Sequence, residues 1–297
     1  MLWLPITIFA YLLNAVAVTV DKFLLTKKIP NPAVYAFFIS FLNLFVLVLI
    51  PFGFTIGSIA QIIIALIAGA IFAFALLYMF KALSGNEASR IIPFLGGLQP
   101  IFIFVLALFF LGEILTTSAL VAFLFIVLGT ITISWQSGKT NRQSYLFALV
   151  ATILFAISYT TNKYIFIDQG FISGFVWTRI GAFLGALLLL IPAQNRKDIF
   201  KTFKNPKSSQ GSGKLFLFGQ VCGALSFIMV NYAISISSSV AVVNALQGVQ
   251  YVFLLLLIGL LSRKFPKLLK EKFTPSILIQ KVTATVLIIT GLFLLFI

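Results

Sequence analysis

Residues 252–261 read VFLLLLIGLL, and residues 44–50 read LFVLVLI. Neither run alternates polar with apolar side chains, as the strand of a membrane barrel does. An unbroken apolar stretch placed in lipid must satisfy its own N–H and C=O groups, and the helix is the element that does so within one segment. Working outward from these runs, with roughly 20 apolar residues needed to span the hydrocarbon, the chain divides into ten segments. They lie near 4–25, 33–51, 59–83, 88–111, 117–136, 144–166, 172–192, 214–236, 239–262 and 277–297. The expected fold is an all-α integral membrane protein with ten transmembrane helices.

Composition points the same way. The chain is 61% hydrophobic and 9% charged, with a mean hydropathy of +1.14, whereas soluble domains carry about a quarter charged residues. The first segment has no basic leader and no small-residue cleavage site before Pro30, so it reads as an uncleaved helix in a chain that starts at Met1. The net charge of +15 would suggest nucleic acid in a soluble protein. Here 19 of the 21 Lys and Arg residues stand in or beside five alternate connections, among them Lys27, Lys28, Lys139, Arg196, Lys197, Arg263 and Lys264. Only Lys163 and Arg179 lie elsewhere. That bias orients a polytopic protein and lets its loops meet anionic headgroups. It excludes nucleic acid as the partner and predicts a cell (inner) membrane protein with both termini outside. In the last basic connection Phe265, Leu268, Leu269 and Phe273 recur at helical spacing, matching either an interfacial helix or a solvated loop.

The chain also repeats. A shift of 141 positions aligns Tyr11–Pro51 with Thr152–Pro192 without a gap, pairing Thr19 with Thr160, Lys22 with Lys163 and Pro51 with Pro192. A shift of 151 pairs Leu95, Gly97 and Gln99 with Leu246, Gly248 and Gln250, and a shift of 162 pairs Gly129 with Gly291. The expected unit is five helices, one in residues 1–138 and one in 139–297. Because five is odd, the two halves cross the membrane in opposite senses. Inverted repeats of this kind recur in secondary transporters, where exchange of conformation between halves gives alternating access.

These residues resemble the EamA-type members of the drug/metabolite transporter superfamily. The resemblance covers the whole chain. Its marks are Leu95-Gly96-Gly97-Leu98-Gln99-Pro100, Leu111-Gly112-Glu113 and Gly129 in the first half, and Arg179, Leu246-Gln247-Gly248-Val249-Gln250 and Gly291 in the second. It implies two inverted five-helix repeats around a central pathway bordered by the fourth and ninth segments, and export of a small metabolite. The chain departs from the pattern where the second half lacks the Leu-Gly-Glu ending and where Tyr251 stands opposite Pro100. The family is usually described with cytoplasmic termini, whereas the charge distribution here argues the reverse.

Polar groups inside spans cost about 2.5–3.5 kcal/mol at mid-helix and so mark candidate sites. Arg179, some seven residues into its segment, is the sharpest and resembles an arginine the family often has there. Asn244, Gln247 and Tyr251 share a face of the ninth segment by their spacing. Arg90 and Gln99 stand on the partner fourth segment, and Lys22 and Lys163 match in the repeat. These eight are the expected substrate-binding residues, weighed against interhelical fastening and snorkelling. Asp21 is the candidate for proton coupling. Gly181-x-x-x-Gly185 and Gly219-x-x-x-Gly223 read as packing motifs.

With one cysteine, Cys222, and no histidine, internal disulfides, the usual zinc sites and histidine-activated nucleophiles cannot be built. No Walker-type phosphate loop is present. The expectation is therefore a transporter without catalytic residues, metal or cofactor, whose partners are a small-molecule substrate, membrane lipid and a proton for coupling. The excess of cations in the spans leans toward a substrate bearing a carboxylate or phosphate. The alternative is a membrane-embedded enzyme, a lipid-handling protein or a non-transporting subunit.

Overall fold

A computed structural model describes residues 2–24, 31–84, 88–134, 141–204, 213–262 and 275–295. Among them every regular element is helical. In chain order these are α1 (Trp3–Leu24), α2 (Pro32–Leu42), which continues as a 3-10 helix over Asn43–Phe52, α3 (Ile59–Ser84), α4 (Ala88–Leu111), α5 (Thr117–Ser134) and α6 (Arg142–Gln169). There follow α7 (Phe171–Leu187), prolonged by a 3-10 turn at Leu188–Leu190, α8 (Ala193–Lys204), α9 (Gly213–Ile236), α10 (Val240–Ala245), α11 (Gln247–Ser262) and α12 (Pro275–Leu294). The segment 265–273, expected from sequence to be either an interfacial helix or a solvated loop, lies outside the described residues.

Local chemistry sets the boundaries. Asn31 caps α2 by accepting from the Ala33 N–H at 2.9 Å, with Pro32 in the first turn where its missing donor costs nothing. Asn141 caps α6 through the Gln143 N–H at 3.0 Å. Gly170, at φ +76°, separates α6 from α7 in a conformation that a side chain would strain. Gly112, at φ +62°, does the same after α4, and the next N–H, that of Glu113, returns to the Ala107 carbonyl at 3.1 Å.

Among the described residues six stretches are long and apolar enough to cross a membrane: Trp3–Val20, Pro32–Phe52, Ile59–Ser84, Phe94–Leu111, Arg142–Gln169 and Phe171–Leu190. Apolar helices of 10–17 residues occupy Thr117–Thr132, Val221–Ile236, Val240–Leu254 and Ile279–Leu294. The distribution of side-chain size is that of a protein dissolved in lipid. Small residues such as Ala65, Ala68, Ala75 and Ala82 are fully buried, while Phe45, Ile59, Phe109 and Phe110 are each more than 70% exposed. In water such an apolar surface would drive association. The architecture is that of a helical membrane protein.

α3 packs on α6 and α7, α1 on α9 and α11, α5 on α12, and α4 on α5 and α6. Close approach between backbones holds several of these pairs. A Cβ added at Gly185 would stand 2.6 Å from the Ala70 Cα of α3, and one at Gly219 would meet the Val20 side chain of α1 at 2.7 Å. Gly181 meets the Leu66 carbonyl more closely still. The two small-residue motifs read from sequence thus lie at helix contacts. α8, the one polar helix of the described set, packs on α2, with Ile199 buried and Asp198 accepting from the Asn31 side chain at 2.7 Å.

Candidate functional site

Arg179 is 1% exposed and sits on α7, at the centre of an aromatic enclosure. Its guanidinium carbon lies 4.6 Å from the ring centre of Phe72 on α3, 4.8 Å from Phe227 on α9 and 5.2 Å from Phe175 on its own helix. Tyr159 of α6 is close enough to interact with the charge. Cation–π contacts in a desolvated place stabilise a guanidinium by about 2 kcal/mol or more. They do not accept hydrogen bonds. Nε, Nη1 and Nη2 all lack a hydrogen-bond partner among the described residues. A buried planar fork of N–H donors with apolar walls and no acceptor matches what a carboxylate or phosphate would complete in two-pronged fashion.

The ninth sequence segment is not one straight helix. Ser239 caps α10 by accepting from the Val242 N–H, α10 ends at Ala245, and α11 starts at Gln247 after a break at Leu246. The polar side chains of this segment go to different neighbours. Asn244 donates to the Val240 carbonyl at 2.9 Å and accepts from Gln99 of α4 at 3.3 Å. Gln250 accepts from Asn14 of α1 at 2.9 Å. The Tyr251 hydroxyl donates to the Ile92 carbonyl at 3.3 Å, and the Tyr11 hydroxyl to that of Val243 at 3.2 Å. Gln247 is half-buried. The expected face therefore resolves into paired groups joining α1 and α4 to α10 and α11.

Of the expected site residues, the structure brings Gln99 to Asn244, and Tyr251 to the backbone of α4. No described contact joins either pair to Arg179. Lys163 is buried and holds the end of α9, donating from Nζ to the carbonyls of Ile234 at 2.9 Å, Ser235 at 3.3 Å and, closest of all, Ser237. Asp21 and Lys22 fall on α1 and Arg90 on α4, but their side chains lie outside the described residues.

Sequence reading passed over Phe72, Phe175, Phe227 and Tyr159, because one aromatic residue among 34 Phe and 8 Tyr carries no signal until a cation is found beside it. Asn14 and Gln250 were also missed as a pair, although Gln250 is the repeat partner of Gln99. A groove of about 340 Å³ runs between α4 and α6, with Phe110, Leu111, Thr160 and Tyr164 on its walls.

No family model and no curated protein matches the chain. Solved structures do resemble it. One, described only as "Crystal structure of protein", superposes with a TM-score of 0.67 at 15% identity, covering 98% of this chain and 95% of its own. At that identity the likeness establishes a shared fold along the whole chain.

Proposed function

We propose that this protein is a ten-span secondary transporter of the EamA type in the drug/metabolite transporter superfamily. It carries a small polar or amphipathic metabolite bearing an anionic group, such as an amino acid or organic anion, by alternating access. The observation that carries this reading is the guanidinium of Arg179, enclosed by three Phe rings with no acceptor among the described residues. A charge buried without a partner is costly to folding, and intramembrane charges are a feature of substrate pathways.

Packing supports the inverted repeat. Exchanging the halves converts the α3·α6 contact into α9·α1 and the α4·α6 contact into α11·α1, and both members of each pair occur. The α5·α12 contact maps onto itself. A Cβ at Gly129 would meet the Ala284 carbonyl at 2.9 Å, and one at Gly291 the Ala122 carbonyl at 2.8 Å. Ala122 and Ala284 are themselves 162 positions apart, as are the two glycines.

The test is substrate-induced thermal stabilisation of the purified protein across amino acids, organic acids, nucleosides and cationic drugs, since a ligand of the native state raises its stability by mass action. The expected hit is an anion, lost in Arg179→Ala. Sealed vesicles should then deliver that compound unchanged, whereas chemical alteration of it would overturn transport in favour of an enzyme.

A further inference from the structure

Glu113 follows the left-handed Gly112 in the turn between α4 and α5 and is 9% exposed. Among the residues whose side chains are described it is the one buried carboxylate: Asp168 is exposed and Asp198 half-buried. Its Oε2 accepts from the Val240 N–H, where α10 begins, at 3.3 Å. Its Oε1 is enclosed and has no partner. The Ser239 hydroxyl and Ala241 N–H lie beside it, and Lys163 of α6 is the charged group that faces it. Lys163 in turn grips the end of α9 through Ile234, Ser235 and Ser237. One turn of the first half and the α9–α10 junction of the second are thus tied together at a single carboxyl group. The groove between α4 and α6 opens alongside, between Leu111 and Tyr164.

We infer that Glu113 is a proton-binding latch, neutral while the α4–α5 turn is seated on the α9–α10 junction and ionised when that turn swings away and water reaches Oε1. An ionised carboxylate has strong acceptor capacity on both oxygens, and in the seated geometry Oε1 is enclosed and makes no hydrogen bond. Leaving a buried charged oxygen unsatisfied costs more than leaving a neutral one so. The Ser239 hydroxyl, the Val240 N–H on Oε2, the Lys163 charge and the Ala241 N–H act in the opposite sense. Burial outweighs them and holds the Glu113 carboxyl above the usual carboxylate range. A group whose proton is held more tightly in the seated form stabilises that form in acid, and loses the contribution as pH rises through its raised pKa. Protons therefore close this end of the molecule and their loss opens it. This deepens the transport reading by supplying its coupling group and rests on it for meaning, although the titration can be read without any substrate.

The test uses detergent-solubilised protein in which the single cysteine is replaced (Cys222→Ala) and Ser237→Cys reports access to the junction through maleimide labelling. Each rate is divided by that of the same protein carrying Glu113→Gln, which cancels the ionisation of the thiol. The latch requires this ratio to climb by about threefold or more from acid to alkaline pH, since ionisation follows pH through the raised pKa. A flat ratio overturns it. Should Ser237→Cys not fold, the melting temperature of the otherwise native chain is followed against pH. A fall toward neutral pH relative to Glu113→Gln supports the latch, and parallel curves overturn it. Neither outcome depends on finding a ligand, so failure of the latch and failure of the transport reading are told apart.

Discussion

Gly129 of α5 faces the Ala284 carbonyl of α12, and Gly291 of α12 faces the Ala122 carbonyl of α5, so each glycine makes the contact that the other makes in mirror order. Ile288 and Ile126 lie next to them in the same reciprocal way. The two helices cross where neither tolerates a side chain, and the contact uses one surface twice.

Filling that crossing should therefore hurt equally from either side. Gly129→Val and Gly291→Val are each expected to destabilise the protein by about 1–3 kcal/mol through overpacking. Melting curves in detergent check this. Loss confined to one of the two would show that the contacts are not equivalent in energy.

Arg179→Ala should remove ligand-induced stabilisation while the protein stays monodisperse in detergent. Arg179→Lys keeps the charge but loses the planar fork and its stacking, so the apparent Kd for an anionic ligand should rise by about tenfold or more, near 1.4 kcal/mol. Isothermal titration reads the change. If Lys restores binding in full, charge alone is what the site supplies.

The Asn14–Gln250 pair gives a measure of fastening. A double-mutant cycle with Asn14→Ala and Gln250→Ala is expected to return a coupling of about 0.6 kcal/mol, with roughly 1.7 as the upper bound for such bonds within a membrane protein. The same cycle for Gln99 and Asn244 should fall in that range. Coupling that appears only when substrate is added would move these amides from the scaffold to the binding site.

Lys163→Met removes the donor that gathers three carbonyls at the end of α9. Those carbonyls would be left enclosed, so stability should fall by about 1–3 kcal/mol. Thermal unfolding with and without ligand checks this, and the ligand-induced shift should be preserved.

Helix positions were legible from sequence because hydropathy and length set them: the segment expected at 88–111 is α4, and that expected at 59–83 is α3 with one residue more. What hydropathy cannot carry is the form of the backbone inside a span. Asn43–Phe52 is as apolar as an α-helix, yet winds as a 3-10 helix with Pro51 in its last turn. The break at Leu246 has no proline or glycine at that residue to announce it. Candidate polar residues were legible for a separate reason, since each is an exception in an apolar background. Their partners were not. Gln99 and Asn244 are 145 residues apart in sequence and were both named, but only the fold shows them spending their hydrogen bonds on each other.

The 3-10 stretch has a further consequence, for the membrane rather than for the protein. A 3-10 helix rises about 2.0 Å per residue against 1.5 Å for an α-helix. The 21 residues of Pro32–Phe52 therefore reach farther than their number suggests, to roughly 36 Å against a hydrocarbon thickness of roughly 30 Å. Three residues per turn also align Phe45, Val48 and Pro51 in one exposed row, a straight apolar keel along the outside of the bundle. Such a span is accommodated by tilting or by drawing thicker lipid around itself, so its length couples the protein to the thickness of its bilayer.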